Sequence, residues 1–414
     1  MNATTSSNTQ NHFFESKAHP TRFVPGSIKN DAPVVASYCV TFLKPEMQHV
    51  YRQITALRRY RPVILTQRRE NEATFPFPDV RLLGKPLTHQ LRRFWARSVL
   101  NVPITAYGHE ASRILGELHK MDAKLLHIYF GHMGIYLLPL LRKRQIPALV
   151  SFHGADATVG ASNKIMRKRY AEVFETANLI VARSESLLGA LEKLGCPSEK
   201  LRLHRTGVSL TMGTPMVRTT PVDGDFRFVQ ASRLIEKKGI DVAIKAFAIF
   251  AREFPMAEFI IAGEGPLKKR LENLANEQGV KDQVHFSGFL PQKTLFELYE
   301  RSHVFVHPSQ VGTNGDEEGI PNAMLEAMVT GMPVIATRHG GIPEAVEHGR
   351  SGMLVEEKNV TELSEAFLAV GRDGTLLQNL SIAAAERVRT HFDRQKQARL
   401  LEDYYEETIR LHNS

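Results

Sequence analysis

Cysteine is almost missing from these 414 residues: only Cys39 and Cys196 occur. Two thiols cannot staple a scaffold, and so sparse a use of cysteine fits a reducing compartment. Tryptophan occurs once, at Trp95. Long apolar runs are missing as well. The best candidate, 133-MGIYLLPLL-141, is far shorter than the ~20 residues of a membrane span and runs into Arg142-Lys143-Arg144. The first residues lack the apolar core of a secretory leader, so none is expected. What is present is ordinary for a globular protein, 43% apolar and 23% charged residues. That excludes a mostly disordered or collagen-like chain. The length suggests two or three domains.

Charge is plentiful but uneven. The net charge is +9, yet residues 1–200 carry 28 basic against 15 acidic residues, while residues 201–414 carry 25 against 29. A basic first half attracts anionic partners such as phospholipid, a phosphorylated glycan carrier or nucleic acid.

Residues 1–31 open on a polar, unpatterned stretch and read as a mobile tail. Short apolar runs then alternate with amphipathic segments. Strands are expected at 32–40, 62–66, 125–130, 147–152, 178–182 and 200–204, with helices at 89–100, 105–119, 134–144, 163–176 and 184–194. The alternation stops in 207–225, which is rich in Gly, Pro, Thr and Asp and reads as a linker. It resumes with strands at 226–231, 257–262, 283–287, 303–307, 333–337 and 352–356. Helices are expected between them and at 393–412. Continuous apolar strands with helices between them predict parallel sheets covered on both faces. The fold class is therefore α/β, with two Rossmann-like domains, 32–206 and 226–390, facing a cleft. Ligands of such sheets bind beyond the carboxyl ends of the strands.

Four segments of the second half place chemistry at those ends. Arg233 and Lys238 lie between a strand and a helix, where a guanidinium fork and an ammonium can converge on a diphosphate. Pairing with Glu236 or Asp241 is the plainer alternative. Gly263, Glu264 and Gly265 form a strand–helix turn that lets a ligand approach the backbone. Gly288, Phe289 and Leu290 form a loop that could face a nucleobase or simply pack on the next helix. The strongest segment is 307–346. There Glu318 and Glu326 are spaced Glu-x7-Glu, and Gly319, Ile320, Asn322 and Ala323 surround a helix start. Free N–H groups and the helix dipole at that start favour a phosphate. Two acidic patches, 223-DGD-225 and 314-NGDEE-318, read better as turn and sugar contacts than as metal ligands. Neither His127 nor His132 is expected to bind a metal.

In this order and spacing, Arg233/Lys238, Gly263-Glu264-Gly265, Gly288-Phe289, Glu318-x7-Glu326 and 340-GGIPE-344 resemble the retaining glycosyltransferases of family 4, which have the GT-B fold. In the first half 152-FHGADAT-158 and 129-YFGHMG-134 resemble the same family. Residues 307–346 resemble its colanic-acid and exopolysaccharide branch. The resemblance implies a hexosyl transfer with retention from a nucleotide-diphosphate sugar, a uridine diphosphate sugar by family frequency, to a glycan or lipid-linked acceptor. It implies that Arg233 and Lys238 hold the diphosphate, that Glu326 takes the ribose hydroxyls, and that Glu318 contacts the sugar. Gly288, Phe289 and Leu290 would line the base. His153 would lie across the cleft, and residues 391–414 would form a helix crossing back to the first domain. The usual glycine-rich loop after the first strand is missing from 40-VTFLKPEMQHVYRQI-54, which makes Glu46 an acceptor-side candidate beside Asp156.

No cofactor and no metal are expected. Fixed cations and a helix N-terminus can stabilise the departing diphosphate instead. The basic segments 92–100, with Trp95, and 164–170 suggest a cytoplasmic enzyme peripheral on the inner membrane face. Two other readings use the same sequence. A nucleotide-sugar epimerase of GT-B fold would not need Glu-x7-Glu. A nucleic-acid-binding module would need basic stretches with interleaved aromatics, which are not found.

Overall fold

The structure, a computed structural model, describes residues 28, 31–44, 47–84, 104–154, 164–312 and 319–414. The expected tail, the helix at 89–100 with Trp95, and Glu46, Asp156 and Glu318 lie outside the described residues.

The first half builds β1 (Val34–Tyr38), β2 (Thr41–Phe42), β3 (Arg61–Thr66), β4 (Arg68–Arg69), β5 (Val80–Leu82), β6 (Ala123–Tyr129), β7 (Ala148–Phe152), β8 (Leu179–Ala182) and β9 (Leu201–Leu203). Seven of them form one parallel sheet in the order β5-β3-β1-β6-β7-β8-β9, and β2 pairs separately with β4. Its described helices are α1 (Gln48–Ile54), α2 (Gly108–Lys120), α3 (Gly131–Tyr136), α4 (Leu138–Leu141), α5 (Lys164–Thr176) and α6 (Glu185–Lys193). The second half builds β10 (Arg227–Ala231), β11 (Glu258–Ala262), β12 (Val284–Gly288), β13 (Val304–His307), β14 (Val334–Thr337) and β15 (Gly352–Val355). These form a second parallel sheet in the order β12-β11-β10-β13-β14-β15. Its helices are α7 (Ile240–Ala251), α8 (Lys268–Glu277), α9 (Gln292–Glu300), α10 (Asn322–Val329), α11 (Ile342–Ala345), α12 (Val360–Arg372), α13 (Gly374–His391) and α14 (Arg394–Asn413).

The continuous apolar runs have the expected cause, since each sheet is buried on both faces. Phe228, Ile261 and Val306 enter one cluster of the second half, while Val229, Ile260 and Phe305 enter the other. The expected helix at 134–144 is corrected to two pieces, α3 and α4, that break at Leu137. Pro139 has no N–H to donate and its ring crowds the carbonyl four residues earlier, so it is tolerated only in a first turn, and α4 starts afresh with Pro139 in that turn. The edge strand β5 carries too short an apolar signal, Val-Arg-Leu, to be read from sequence. Cys39 and Cys196 are both buried and unpaired, and burial pushes both thiols up to about 12.

The chain crosses between halves twice, and the two crossings are bonded to each other. Val208 N–H donates to the Phe392 carbonyl at 2.8 Å, and Arg394 N–H donates to the Val208 carbonyl at 2.9 Å. A Cβ on Gly207 would sit 2.4 Å from Arg394 Cα, so only glycine admits this approach. Residues 207–225 contain no strand or helix, but they are fastened down. The buried Arg218 guanidinium donates to the carbonyls of Tyr299, Glu300 and Thr330. The 223-DGD-225 stretch lies in a turn, with Gly224 at φ 69°.

After the second crossing, α14 runs onto the first sheet. Leu401 and Tyr405 pack with Val35, Leu125, Leu149 and Leu179. The Glu402 carboxylate, 1% exposed, accepts the backbone N–H groups of Arg58 and Arg59 at 2.6 Å each. Hydrogen bonds to a buried charge are worth about 1.5–3 kcal/mol each. Glu402→Ala is therefore expected to lower the free energy of urea unfolding by about 3 kcal/mol. A change within experimental error would show that packing alone holds α14.

Candidate active-site cleft

At the carboxyl edge of the second sheet, three loops are stitched together by backbone bonds. Ser232 N–H donates to Ala262 O at 2.9 Å, Leu234 N–H to Glu264 O at 2.8 Å, and Gly263 N–H to Gly288 O at 2.7 Å. Gly263, at φ 142°, has Ser232 O where a Cβ would stand, and Gly265 likewise faces Leu234 O. The first demand for glycine here is therefore the neighbouring loop, which these turns hold in place. On the other side, Gln310 N–H donates to Lys237 O at 2.9 Å and Gln310 Nε2 to Glu236 O at 3.0 Å. These bonds tie the loop after β10 to the loop after β13. Arg233 projects from this frame, exposed and with no ion pair among the described residues, while Lys238 is buried beside it. Glu264 is exposed, and Phe289 is 74% exposed, large and apolar at the rim. Leu290 is partly buried and packs against the core. Ile320 is also buried, so at this position only its backbone can meet a ligand.

Pro321 caps α10, so Asn322 and Ala323 are its first two residues and lack intrahelical acceptors for their N–H groups. The Asn322 Oδ1 is buried with no hydrogen-bond partner among the described residues. Glu326, one turn on and 5% exposed, reaches the other half of the molecule. It accepts Arg52 Nη1 of α1 at 2.5 Å, and Arg52 is itself buried. A second link runs through 340-GGIPE-344. Glu344 accepts the Ser186 N–H at 3.1 Å and lies 3.6 Å from the Arg205 guanidinium. The sequence offered Glu326 no cation, because Arg52 lies 274 residues away.

Facing this edge, the first half contributes the carboxyl ends of β7, β8 and β9. A cavity there is lined by His49 and Gln53 of α1, His153, Arg183, His204 and Arg394. His153 Nδ1 is bonded to His49 Nε2 at 2.9 Å and its Nε2 to Ser151 Oγ at 3.1 Å. Burial, with His49 and Arg183 beside it, holds His153 well below the usual imidazole range. Burial lowers His204 to about 4, although its bond to the Gln397 carbonyl acts the other way. His127, fully buried, is held well below the usual range by burial and by His204. His132 is exposed. Among the described residues no cluster of three or more His, Cys, Asp or Glu could hold a metal ion. No helix among them is long and apolar enough to cross a membrane. Sequence reasoning singled out His153 but missed His49, Arg52, Arg183, His204 and Arg394. None of these sits in a recognisable motif, and the fold alone brings them together.

Removing one partner of a buried ion pair strands the other charge, at a cost of about 3–5 kcal/mol. Glu326→Ala should thus lose that much stability in denaturant titration, and Arg52→Ala together with it should lose little more. A single-variant loss below about 1 kcal/mol would mean that the pair is not formed in solution. The histidines give a second expectation. His127, His153 and His204 stay neutral in the fold, whereas unfolded histidine binds a proton near pH 6.5. The unfolded state therefore binds more protons on acidification. Stability should fall as pH drops below about 6.5, by up to about 1.4 kcal/mol per pH unit for each histidine. Melting temperatures measured from pH 8 to 5 check this; a flat profile contradicts it.

Two family models match the chain: "Glycosyltransferase Family 4" over residues 48–211 and "Glycosyl transferases group 1" over residues 216–387. The putative colanic acid biosynthesis glycosyltransferase WcaL of Escherichia coli is 33% identical over 300 residues, 70% of this chain and 73% of its own. The amylovoran biosynthesis glycosyltransferase AmsK of Erwinia amylovora is 30% identical over 298 residues, again 70% of this chain and 73% of its own. Among solved structures, Anabaena Alr3699/HepE in complex with UDP superposes with a TM-score of 0.72 at 17% identity, covering 91% of this chain and all of its own. With two parallel α/β sheets facing one cleft, this chain is a member of glycosyltransferase family 4 with the GT-B fold.

Proposed function

We propose that the protein transfers a hexosyl unit, with retention, from a uridine diphosphate sugar to a hydroxyl of a glycan or lipid-linked acceptor in exopolysaccharide biosynthesis, without a metal. One observation carries this reading. The loop bearing Arg233 and Lys238 is bonded to the loops after β11 and β13, the second of which leads toward α10. Two cations thus sit on a frame of bonded loops at the carboxyl edge of the second sheet, and α10 follows the last of these loops in sequence. The two exopolysaccharide relatives support the pathway, and the UDP bound in the Anabaena structure supports the nucleotide.

In this reading the diphosphate rests on Arg233 and Lys238, with the first N–H groups of α10 assisting. The base lies along Gly288 and Phe289. The ribose hydroxyls meet Glu326, where they share the carboxylate with Arg52 or displace it. Gly263, Glu264, Gly265, Gly319 and Ile320 shape the wall through their backbone, and Glu318 meets the sugar. His153 faces the sugar from the first half. Glu46 and Asp156 serve the acceptor. The domains run 32–206 and 226–390, joined by 207–225 and by 391–414, which carries α14.

Chemistry follows from charge. When the bond between the sugar C1 and the diphosphate oxygen breaks, its electron pair leaves with the phosphate. The fixed cations stabilise that charge without reorganising, and the loss of such a preorganised charge costs on the order of 10²–10³ in rate. The acceptor hydroxyl attacks C1 from the same face, and its proton passes to the departing phosphate oxygen. His153, neutral and bonded at both nitrogens, orients the sugar rather than attacking it. The exposed Lys164, Arg167 and Lys168 of α5 suit an anionic membrane surface near a lipid-linked acceptor.

Thermal stabilisation by UDP, GDP and ADP, each with EDTA, tests the donor site. UDP should raise the melting temperature by several degrees at saturating concentration, GDP and ADP less, and Arg233→Ala should abolish most of the shift. A shift that needs a divalent cation, or that survives in Arg233→Ala, contradicts the proposal.

A further inference from the structure

A line of polar side chains crosses the face of the first sheet beneath α14, where Ser37 and Tyr129 are also buried and Tyr129 adjoins both His127 and Tyr405. Tyr405 OH is 2.8 Å from His127 Nδ1, and His127 Nε2 is 3.0 Å from Ser151 Oγ. Ser151 Oγ is 3.1 Å from His153 Nε2, and His153 Nδ1 is 2.9 Å from His49 Nε2. The line thus joins the last helix of the chain to the catalytic cleft in four hydrogen bonds. His127 and Tyr405 are fully buried and Ser151 is 3% exposed. Alternation along the strands explains how they align: His127 of β6 and Ser151 of β7 point to the face that Leu125 and Leu149 also serve, and His153 follows two residues on.

Each neutral imidazole has one donor and one acceptor nitrogen, and a hydroxyl has one proton to give. A linear chain of such groups is satisfied only if every proton points the same way. The end group then fixes the tautomer of every ring behind it. A phenol is a far better donor to an imidazole nitrogen than a neutral imidazole N–H is to a phenol oxygen. Tyr405 is also kept protonated by its burial. We infer that Tyr405 donates into this relay and, through His127 and Ser151, holds His153 as the Nδ1–H tautomer, so that Tyr405, His127 and Ser151 are positioning residues of the cleft.

The consequence is specific. His153 Nε2 accepts the Ser151 hydroxyl and its Nδ1–H is given to His49. Neither nitrogen can take the acceptor's proton while the relay stands. His153 presents a ring of fixed orientation and fixed dipole, and His49 Nε2 accepts its Nδ1–H on the cleft side. The role of these residues in transfer rests on the proposed donor reading, whereas the relay itself does not.

The test is the tautomer, read by long-range 15N–1H correlation on the full chain labelled at histidine. The wild type should show His127 as Nε2–H and both His153 and His49 as Nδ1–H. In Tyr405→Phe, which removes one hydroxyl and keeps the ring, the nitrogens of His127 and His153 should move to intermediate shifts as both tautomers populate. Tyr404→Phe, the adjacent residue whose hydroxyl donates instead to the Leu203 carbonyl at 3.0 Å, should leave them unmoved. An Nε2–H His153 in the wild type overturns the inference whether or not Tyr405→Phe folds. So does a folded Tyr405→Phe with unchanged tautomers, or an equal change in Tyr404→Phe. The UDP-induced melting shift, measured on the same samples, separates the two claims. Its absence in the wild type refutes the donor reading while the tautomers still decide the relay.

Discussion

Two lengths of chain pass between the halves of this molecule, and they are hydrogen-bonded to each other at Val208, Phe392 and Arg394. The cleft depends on that pairing. It fixes where the second sheet starts relative to the first, and it launches α14 back across the first sheet. Because both crossings lie at one place, the halves share a short hinge, and the carboxyl edges of both sheets can face each other across it. Gly207 is the residue that lets the two crossings touch. Farther out, the Arg52–Glu326 and Ser186–Glu344 contacts hold the two edges together. These two contacts are polar, which suits a cleft whose halves part to admit a substrate.

A division of labour follows. The second half is built as a rigid cradle: three loops bonded to each other, with Arg233 and Phe289 left projecting. Rigid placement of cations is what stabilises developing charge on a leaving group. The first half instead offers neutral imidazoles, kept neutral by burial and by neighbouring cations. Arg183 lies among these imidazoles, so cations stand on both faces of the cleft. Helix α14 belongs to both, since it begins at the hinge and passes beneath the histidines.

The strand pattern was legible because buried parallel strands are apolar throughout, and the twelve strands expected from sequence match β1, β3 and β6 to β15. The second half's candidate site could be proposed from sequence for a related reason: its residues lie in short segments that each follow one of those strands. The pieces that escaped depend on distance. Arg52 meets Glu326, and His127 meets Tyr405, across more than 270 residues, and no local pattern marks either pairing. His127 reads in sequence as an ordinary packed histidine, and packed it is. What the sequence could not show is that its two nitrogens link a terminal helix to the cleft. Glycine was legible as a residue type, but its cause at Gly263 and Gly265 is loop against loop.

The central claim is that one nucleotide site spans this cleft, with its phosphates on the second half. A crystal structure of the protein with UDP, grown in EDTA, tests it most directly. The diphosphate should lie on Arg233 and Lys238, the ribose at Glu326 with Arg52 shared or displaced, and the base along Phe289. UDP bound elsewhere, or a diphosphate that leaves Arg233 and Lys238 untouched, would contradict it.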